Sequence, residues 1–277
     1  MVDRRPIGVF DSGVGGLSVL RALQAEMPQE NYVYVADNGH APYGERDDEH
    51  VLKRSHAITD YLIAQHDIKA LVVACNTATA AAIHLIRAAY TQIPIVGIEP
   101  ALKPAAAQSK TGLVGVMATR STLNSEKFHK LLESLHGAAT FVLQPCDGLA
   151  ISIERSDTQR IKALCKEYTA AMGAFGCATG EIDTLVLGCT HFTFASQELI
   201  ALIGPDVTLL EGGAPVARQT RRLLEKPLQA ADISSSGNEI SNNPTIQFYS
   251  TGDTLLMDSA VRRWLGSESK TQPLSVG

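Results

Sequence analysis

Short apolar strands alternate with helix-like stretches along nearly the whole chain, a pattern that restricts it to α/β units built on parallel sheets. Residues 7–10, 32–36, 70–74 and 95–98 read as strands, separated by helical composition over 17–27, 45–65 and 78–90. A second series follows, with strands at 112–117, 140–143, 184–187 and 207–210 and helical stretches near 122–135, 157–175 and 196–203. The two series align. Asp11 matches Ala118, Cys75 matches Cys189 and Glu99 matches Glu211, at offsets of 107, 114 and 112 residues.

The expected architecture is therefore α/β, with two related, pseudo-symmetric domains of mainly parallel sheet. Their strand C-terminal ends should face a shared cleft, because ligands in such sheets collect at the carboxyl edge. After Glu211, Gly212-Gly213-Ala214-Pro215 leads into a helix reaching about residue 225. Residues 228–245, rich in Ser, Asn and Ala, read as a mobile loop. A strand at 245–249 and a helix near 254–265 then return to complete the first half. The expected domains are 1–99 plus 211–277, and 100–210.

The 277 residues suffice for two domains of ordinary size. A net charge of -5 provides no broad basic field, which argues against nucleic acid as a partner. No apolar run approaches the roughly 18–20 residues needed to cross a bilayer, and the opening segment is too short for a signal-peptide core. A cytoplasmic location is expected. The cysteines at 75, 146, 165, 177 and 189 form no C-x-x-C pair, which fits reduced thiols better than disulfides or a zinc site. The histidines at 50, 56, 66, 84, 129 and 136 show no ligand-like grouping, so no metal is expected.

Two segments carry the chemistry. Ala70 to Thr77 and Asp183 to His191 each run as an apolar strand into a thiol, Cys75 and Cys189, followed by small polar residues suited to a helix start. The N–H groups of such a start favour thiolate over thiol, whose free pKa is about 8.5. Two thiols on opposite faces of one carbon can remove a proton from one side and supply one to the other. A lone cysteine ending a strand is more often a small buried hydrophobe, but two in mirrored polar contexts favour reactivity. Cys146, Cys165 and Cys177 lack the pattern and are expected to pack.

Asn76, Thr77 and Thr190 offer donors for a substrate carboxylate, and His191 is placed to share a proton with Cys189. In Asp11-Ser12-Gly13-Val14-Gly15-Gly16 the glycines permit positive φ and close approach by a ligand. The segment lacks both the Lys-Ser/Thr ending of a P-loop and the dinucleotide spacing. Asp11, at a strand end, can hold an ammonium or orient a thiol. The loop 37–44, with Pro42-Tyr43-Gly44, either presents backbone donors rigidly or only turns the chain.

Together, Gly8 through Gly16, Pro42-Tyr43-Gly44, Ala74-Cys75-Asn76-Thr77-Ala78, Gly188-Cys189-Thr190-His191-Phe192 and Tyr249-Ser250-Thr251-Gly252-Asp253 make the chain closely resemble the glutamate racemases of the aspartate/glutamate racemase family. The resemblance implies two α/β domains with the site between them, and interconversion of L- and D-glutamate without a cofactor, supplying D-glutamate for peptidoglycan. It implies catalytic thiols at Cys75, acting on the D-enantiomer, and Cys189, acting on the L-enantiomer, supported by Asp11, His191 and Glu154. Substrate contacts map to Asp11, Ser12, Tyr43, Gly44, Asn76, Thr77, Thr190 and His191, with Thr119 and Thr122 as additions. A homodimer is implied, with no metal.

Family members with an N-terminal extension respond to a peptidoglycan precursor. Here the first motif begins near residue 7, so neither the extension nor that control is expected. The loop at 228–245 is longer than the family leads one to expect. Competing readings are a related racemase or isomerase acting on aspartate, maleate or a hydantoin, and a two-domain amino-acid-binding protein without turnover. An additional partner-binding role is a third reading.

Overall fold

A computed structural model describes residues 3–225 and 244–277. Most of the loop expected at 228–245 lies outside the described residues. The first series folds as β1 (Ile7–Asp11), α1 (Leu17–Glu26), β2 (Tyr32–Ala36), α2 (Asp48–His66), β3 (Ala70–Val73), α3 (Asn76–Ala89) and β4 (Ile95–Gly97). A short helix, α4 (Leu102–Gln108), leads into the second series. That series comprises β5 (Leu113–Ala118), α5 (Arg120–Asn124), α6 (Glu126–Glu133), β6 (Thr140–Pro145), α7 (Leu149–Glu154), α8 (Thr158–Met172), β7 (Thr184–Gly188), α9 (Ser196–Ile203) and β8 (Thr208–Leu210). The remainder is α10 (Gly213–Leu224), β9 (Ile246–Ser250), α11 (Thr254–Leu265) and β10 (Thr271–Pro273).

Two parallel sheets result. One has the order β10-β9-β2-β1-β3-β4 and the other β6-β5-β7-β8. The block β2-β1-β3-β4 has the same order as β6-β5-β7-β8, so the repeat seen in the sequence is a repeat of topology. Strand β9 joins the first sheet by pairing with β2 from Tyr32↔Ile246 to Ala36↔Ser250, and β10 extends the edge beyond it. The segment after Glu211 thus returns to the first sheet.

Residue alternation explains how the first sheet is covered on both faces. Along β1, Ile7 and Val9 pack with Leu20, Tyr34, Phe248 and Val261 on one side, while Phe10 packs with Val35, Ile58, Val73 and Ile83 on the other. Every residue of β1, β2, β3 and β7 is buried, which is why these strands read as continuous apolar runs. Each Val, Leu, Ile or Phe among them contributes about 1.5–3 kcal/mol by leaving water. Strand β6 is the second sheet's edge and is exposed or half-buried throughout, so its apolar signal is weaker.

Local signals set the helix limits. The Asp47, Asp157 and Asp253 carboxylates accept N–H groups of the first turns of α2, α8 and α11. Gly173, at φ 111°, ends α8 at Met172, short of the expected 175. The helical stretch expected over 122–135 is two helices. Ser125 leaves the helical conformation and its hydroxyl accepts the Phe128 N–H at 3.2 Å, capping α6 afresh. Among the described residues no helix is long and apolar enough to cross a membrane.

In each sheet the strand order reverses beside the first strand: between β1 and β3 in one, between β5 and β7 in the other. Such a reversal opens a crevice at the strands' carboxyl ends. Asp11 and Cys75 stand at the first crevice, Thr119 and Cys189 at the second. Topology alone therefore brings the repeated thiols to equivalent positions.

Candidate active site

The two crevices merge into one narrow cleft. The first half supplies Ser12, Tyr43, Gly44, Cys75, Asn76 and Thr77 to its wall. From the second half come Thr119, Glu154, Cys189, Thr190 and His191. Of the residues expected at the site, Asp11 stands apart: it is wholly buried behind the wall rather than lining it. Thr122 is also set back, its hydroxyl accepting from Thr119 Oγ1 at 2.9 Å.

Cys75 leaves β3 in extended conformation and caps α3, its sulfur accepting the Ala78 N–H at 3.5 Å. The Cys75 thiol points at Ser12 Oγ, 3.7 Å away. Burial pushes this thiol up to about 12 and the nearby Asp11 charge adds to the effect, while the Ala78 N–H and Ser12 hydroxyl act in the opposite sense. At Cys75 the helix start favours the thiolate while burial favours the thiol.

Cys189 occupies the matching position after β7, but the turn that follows it, Thr190–Ala195, is a 3₁₀ helix rather than an α-helix. Its sulfur has no capping N–H and instead lies 3.9 Å from His191 Nδ1. His191 Nε2 lies 2.5 Å from Glu154 Oε1. Burial works against a charged imidazole here, but the hydrogen bonds to Cys189 and Glu154 outweigh it and hold His191 well above its ordinary range. The matched thiols therefore have different supports, a serine hydroxyl and a helix start for one and an imidazolium–carboxylate pair for the other.

Several contacts join the halves across the cleft. Glu154 Oε1 also accepts the Val14 N–H at 2.6 Å. Thr190 Oγ1 donates to Asp11 Oδ2 at 3.0 Å, while Asp11 Oδ1 accepts the Gly13 N–H at 2.8 Å. The Thr77 and Thr119 hydroxyls meet at 3.2 Å. Burial raises Asp11 from 3.8 to about 6; His191 and the Gly13 N–H moderate this rise.

The glycine-rich segment after β1 serves a purpose other than the one expected. Gly13, Gly15 and Gly16 do not have positive φ. Their value is space: a Cβ on Gly13 would stand 1.7 Å from Glu154 Oε1, and one on Gly15 would stand 2.3 Å from His191 Nδ1. The absent side chains admit the other half's acid–imidazole pair.

Pro42-Tyr43-Gly44 turns the chain, and its Tyr43 and Gly44 also face the cleft. The Tyr43 hydroxyl is spent on Asp37 Oδ2 at 2.5 Å, which leaves its ring and backbone to face the cavity. Asn76 Oδ1 is buried with no hydrogen-bond partner.

A sequence model of the Asp/Glu/hydantoin racemases matches residues 16–220, about three quarters of the chain. The chain belongs to this family. Among similar members, the glutamate racemase of Ectopseudomonas mendocina is 48% identical over 85% of this chain and 91% of its own length. That of Ralstonia pickettii is 43% identical over 98% of this chain and 92% of its own. A solved glutamate racemase isoform of Bacillus anthracis superposes with a TM-score of 0.83 at 31% identity, covering 99% of this chain and 98% of that one. The Escherichia coli glutamate racemase, solved with L-glutamate and the activator UDP-MurNAc-Ala, gives 0.81 at 29% identity and covers 99% of both chains.

Within this family member, sequence reasoning missed some of the cleft. Ala41, Pro42 and Ala150 also line it. Ala150 stands four residues before Glu154 on α7, a spacing that puts both on one helix face; α7 itself, one and a half turns long, was not recognised. Cys146 and Cys165 are buried in the second core and Cys177 is exposed. Among the described residues no group of three or more His, Cys, Asp or Glu side chains is placed to hold a metal ion.

Proposed function

We propose that this chain interconverts L- and D-glutamate by direct proton transfer between two thiols and the substrate α-carbon, supplying D-glutamate for peptidoglycan. The observation that carries the reading is that Cys75 and Cys189, from equivalent places in the two halves, line a single cleft. Its domains are 1–99 plus 211–277, and 100–210. Family resemblance supports a homodimer, and five unpaired cysteines support the cytoplasm as its location.

In this reading the two carboxylates of glutamate are held by backbone N–H groups of Tyr43–Gly44, Asn76–Thr77 and Thr190 and by the hydroxyls of Ser12, Thr77 and Thr119. These hydroxyls turn from Asp11 and from their threonine partners to reach them, while the Thr190 hydroxyl stays on Asp11. The unpartnered Asn76 Oδ1 accepts from the ammonium. Cα then lies between the sulfurs. With L-glutamate bound, Cys189 as thiolate, facing the His191 imidazolium, takes the α-proton, and the Cys75 thiol delivers its own to the opposite face. From D-glutamate the same steps run in reverse, beginning from the form in which Cys75 is the thiolate and Cys189 carries the proton. Fixed donors around the α-carboxylate, in a cleft that excludes water, stabilise the developing carbanion. Asp11 and Glu154 act through their neighbours, orienting Thr190 and holding His191 charged.

The test is chirally resolved product analysis over glutamate, aspartate and other acidic amino acids. We expect glutamate to turn over fastest. One methylene in a pocket is worth only about 1–3 kcal/mol, so weak aspartate turnover is compatible with this reading. Failure to racemise glutamate, or faster turnover of another substrate, overturns it.

A further inference from the structure

Behind Tyr43 lies a buried polar chain that the proton-transfer scheme does not use. Asp37, wholly buried just after β2, receives four hydrogen bonds. Its Oδ2 accepts from Tyr43 Oη at 2.5 Å and Arg54 Nε at 3.0 Å. Its Oδ1 accepts from Arg54 Nη2 at 2.9 Å and Thr251 Oγ1 at 2.7 Å. Arg54, 4% exposed on α2, thus grips Asp37 with two parallel N–H groups. Its remaining nitrogen, Nη1, donates to the main-chain oxygens of Val276 at 2.9 Å and Gly277 at 3.0 Å.

Leu274 and Val276 pack on the core cluster that contains Tyr43 and Cys75, and the Leu274 N–H bonds Ser250 O at 2.8 Å. The segment following β10 is therefore linked to the cleft wall in steps: Val276–Gly277 to Arg54, Arg54 to Asp37, Asp37 to Tyr43. A buried guanidinium stripped of two acceptors is costly, and it regains solvation by moving. Such movement breaks the bidentate grip that fixes Asp37 and, through it, the Tyr43 ring and the Tyr43–Gly44 backbone.

We propose that Arg54 is a positioning residue for substrate binding and that residues 274–277 complete the cleft by satisfying it. The proposal rests on the reading that glutamate binds against Tyr43–Gly44. Neither Arg54 nor the segment touches the reacting atoms. Their loss therefore weakens binding of ground and transition states alike, raising KM and leaving kcat nearly unchanged. Because the two enantiomers are equally stable, kcat/KM must fall by the same factor in both directions.

The experiment measures kcat and KM in both directions for the unaltered chain, for Arg54→Lys and for a chain truncated after Pro273. Lysine keeps the charge but cannot grip a carboxylate with two parallel bonds. We expect KM to rise about tenfold in each variant, with kcat within about twofold of the parent. Should Arg54→Lys fail to fold, the truncated chain retains both the Arg54 and Asp37 side chains and decides the matter. An unchanged KM in the folded variants, or a fall in kcat at constant KM, overturns the proposal. If the unaltered chain does not racemise glutamate, it is the functional reading that fails, so the two failures are distinguishable.

Discussion

The Glu154 carboxylate and the His191 imidazole meet at 2.5 Å, and the same carboxylate oxygen accepts the Val14 N–H from the opposite half of the molecule. One acid thus holds the imidazole charged and fastens the glycine-rich segment to the second half. Its removal should affect chemistry more than binding. Glu154→Gln keeps the shape but not the charge, and His191 loses one of the two partners, Cys189 being the other, that together outweigh its burial. We expect kcat for L-glutamate to fall about 10- to 100-fold with less than a threefold change in KM. Steady-state kinetics in both directions checks this.

Gly13 makes the same contact testable from the other side. Gly13→Ala would place a methyl group 1.7 Å from Glu154 Oε1, so the carboxylate or the whole segment must shift. The expected result is a loss of about 1–3 kcal/mol of stability together with a kcat at or below that of Glu154→Gln. Denaturant unfolding and kinetics on one preparation measure both.

Asp11 should give the protein an acidic limit. Its pKa rises from 3.8 to about 6 through burial, so below about pH 6 it takes up a proton and presents a weaker acceptor to Thr190 and the Gly13 N–H. Activity should fall as the pH drops through 6, and Asp11→Asn should abolish that limb. The effect on stability has the opposite sign. Between about pH 4 and 6 the folded chain retains a proton that the unfolded chain releases, so stability falls as the pH rises through this window, by up to about 3 kcal/mol. Melting temperatures of the parent and Asp11→Asn, measured across that range, should converge toward pH 4.

Trp264 and Phe194 stack with ring centroids 4.1 Å apart and planes 15° from parallel, joining α11 of the first half to the 3₁₀ turn that carries His191. Arg263 reinforces the junction with a 3.3 Å bond to Ser156 Oγ. Trp264→Ala should lower stability by about 3 kcal/mol, while Arg263→Ala should cost under about 1 kcal/mol because that contact is exposed. Thermal unfolding of the two variants tests the difference.

The sequence made the strands, their pairing in two series and the equivalence of the thiols legible because all three depend on local patterns that recur. Strands β1, β3 and β7 are buried on both faces, so they stand out as apolar runs, and Cys75 and Cys189 each end one. What the sequence hid depends on contacts between distant segments. Nothing near Gly13 announces that Glu154, 141 residues later, occupies the space its missing side chain leaves. At Cys75 the helix-start chemistry is visible locally, whereas the burial that opposes it is not. Short elements such as α7 and β10 offered too few residues for any periodicity to register.

The central claim is that two different groups serve the two faces of Cα. It is tested most directly by following deuterium during initial turnover of L-glutamate in D₂O. The account predicts D-glutamate carrying one deuterium at Cα while the unreacted L-glutamate remains protiated, because the proton removed by Cys189 is not the one supplied by Cys75. Deuterium entering the L-glutamate pool as fast as product forms, or D-glutamate that retains the original hydrogen, would contradict it.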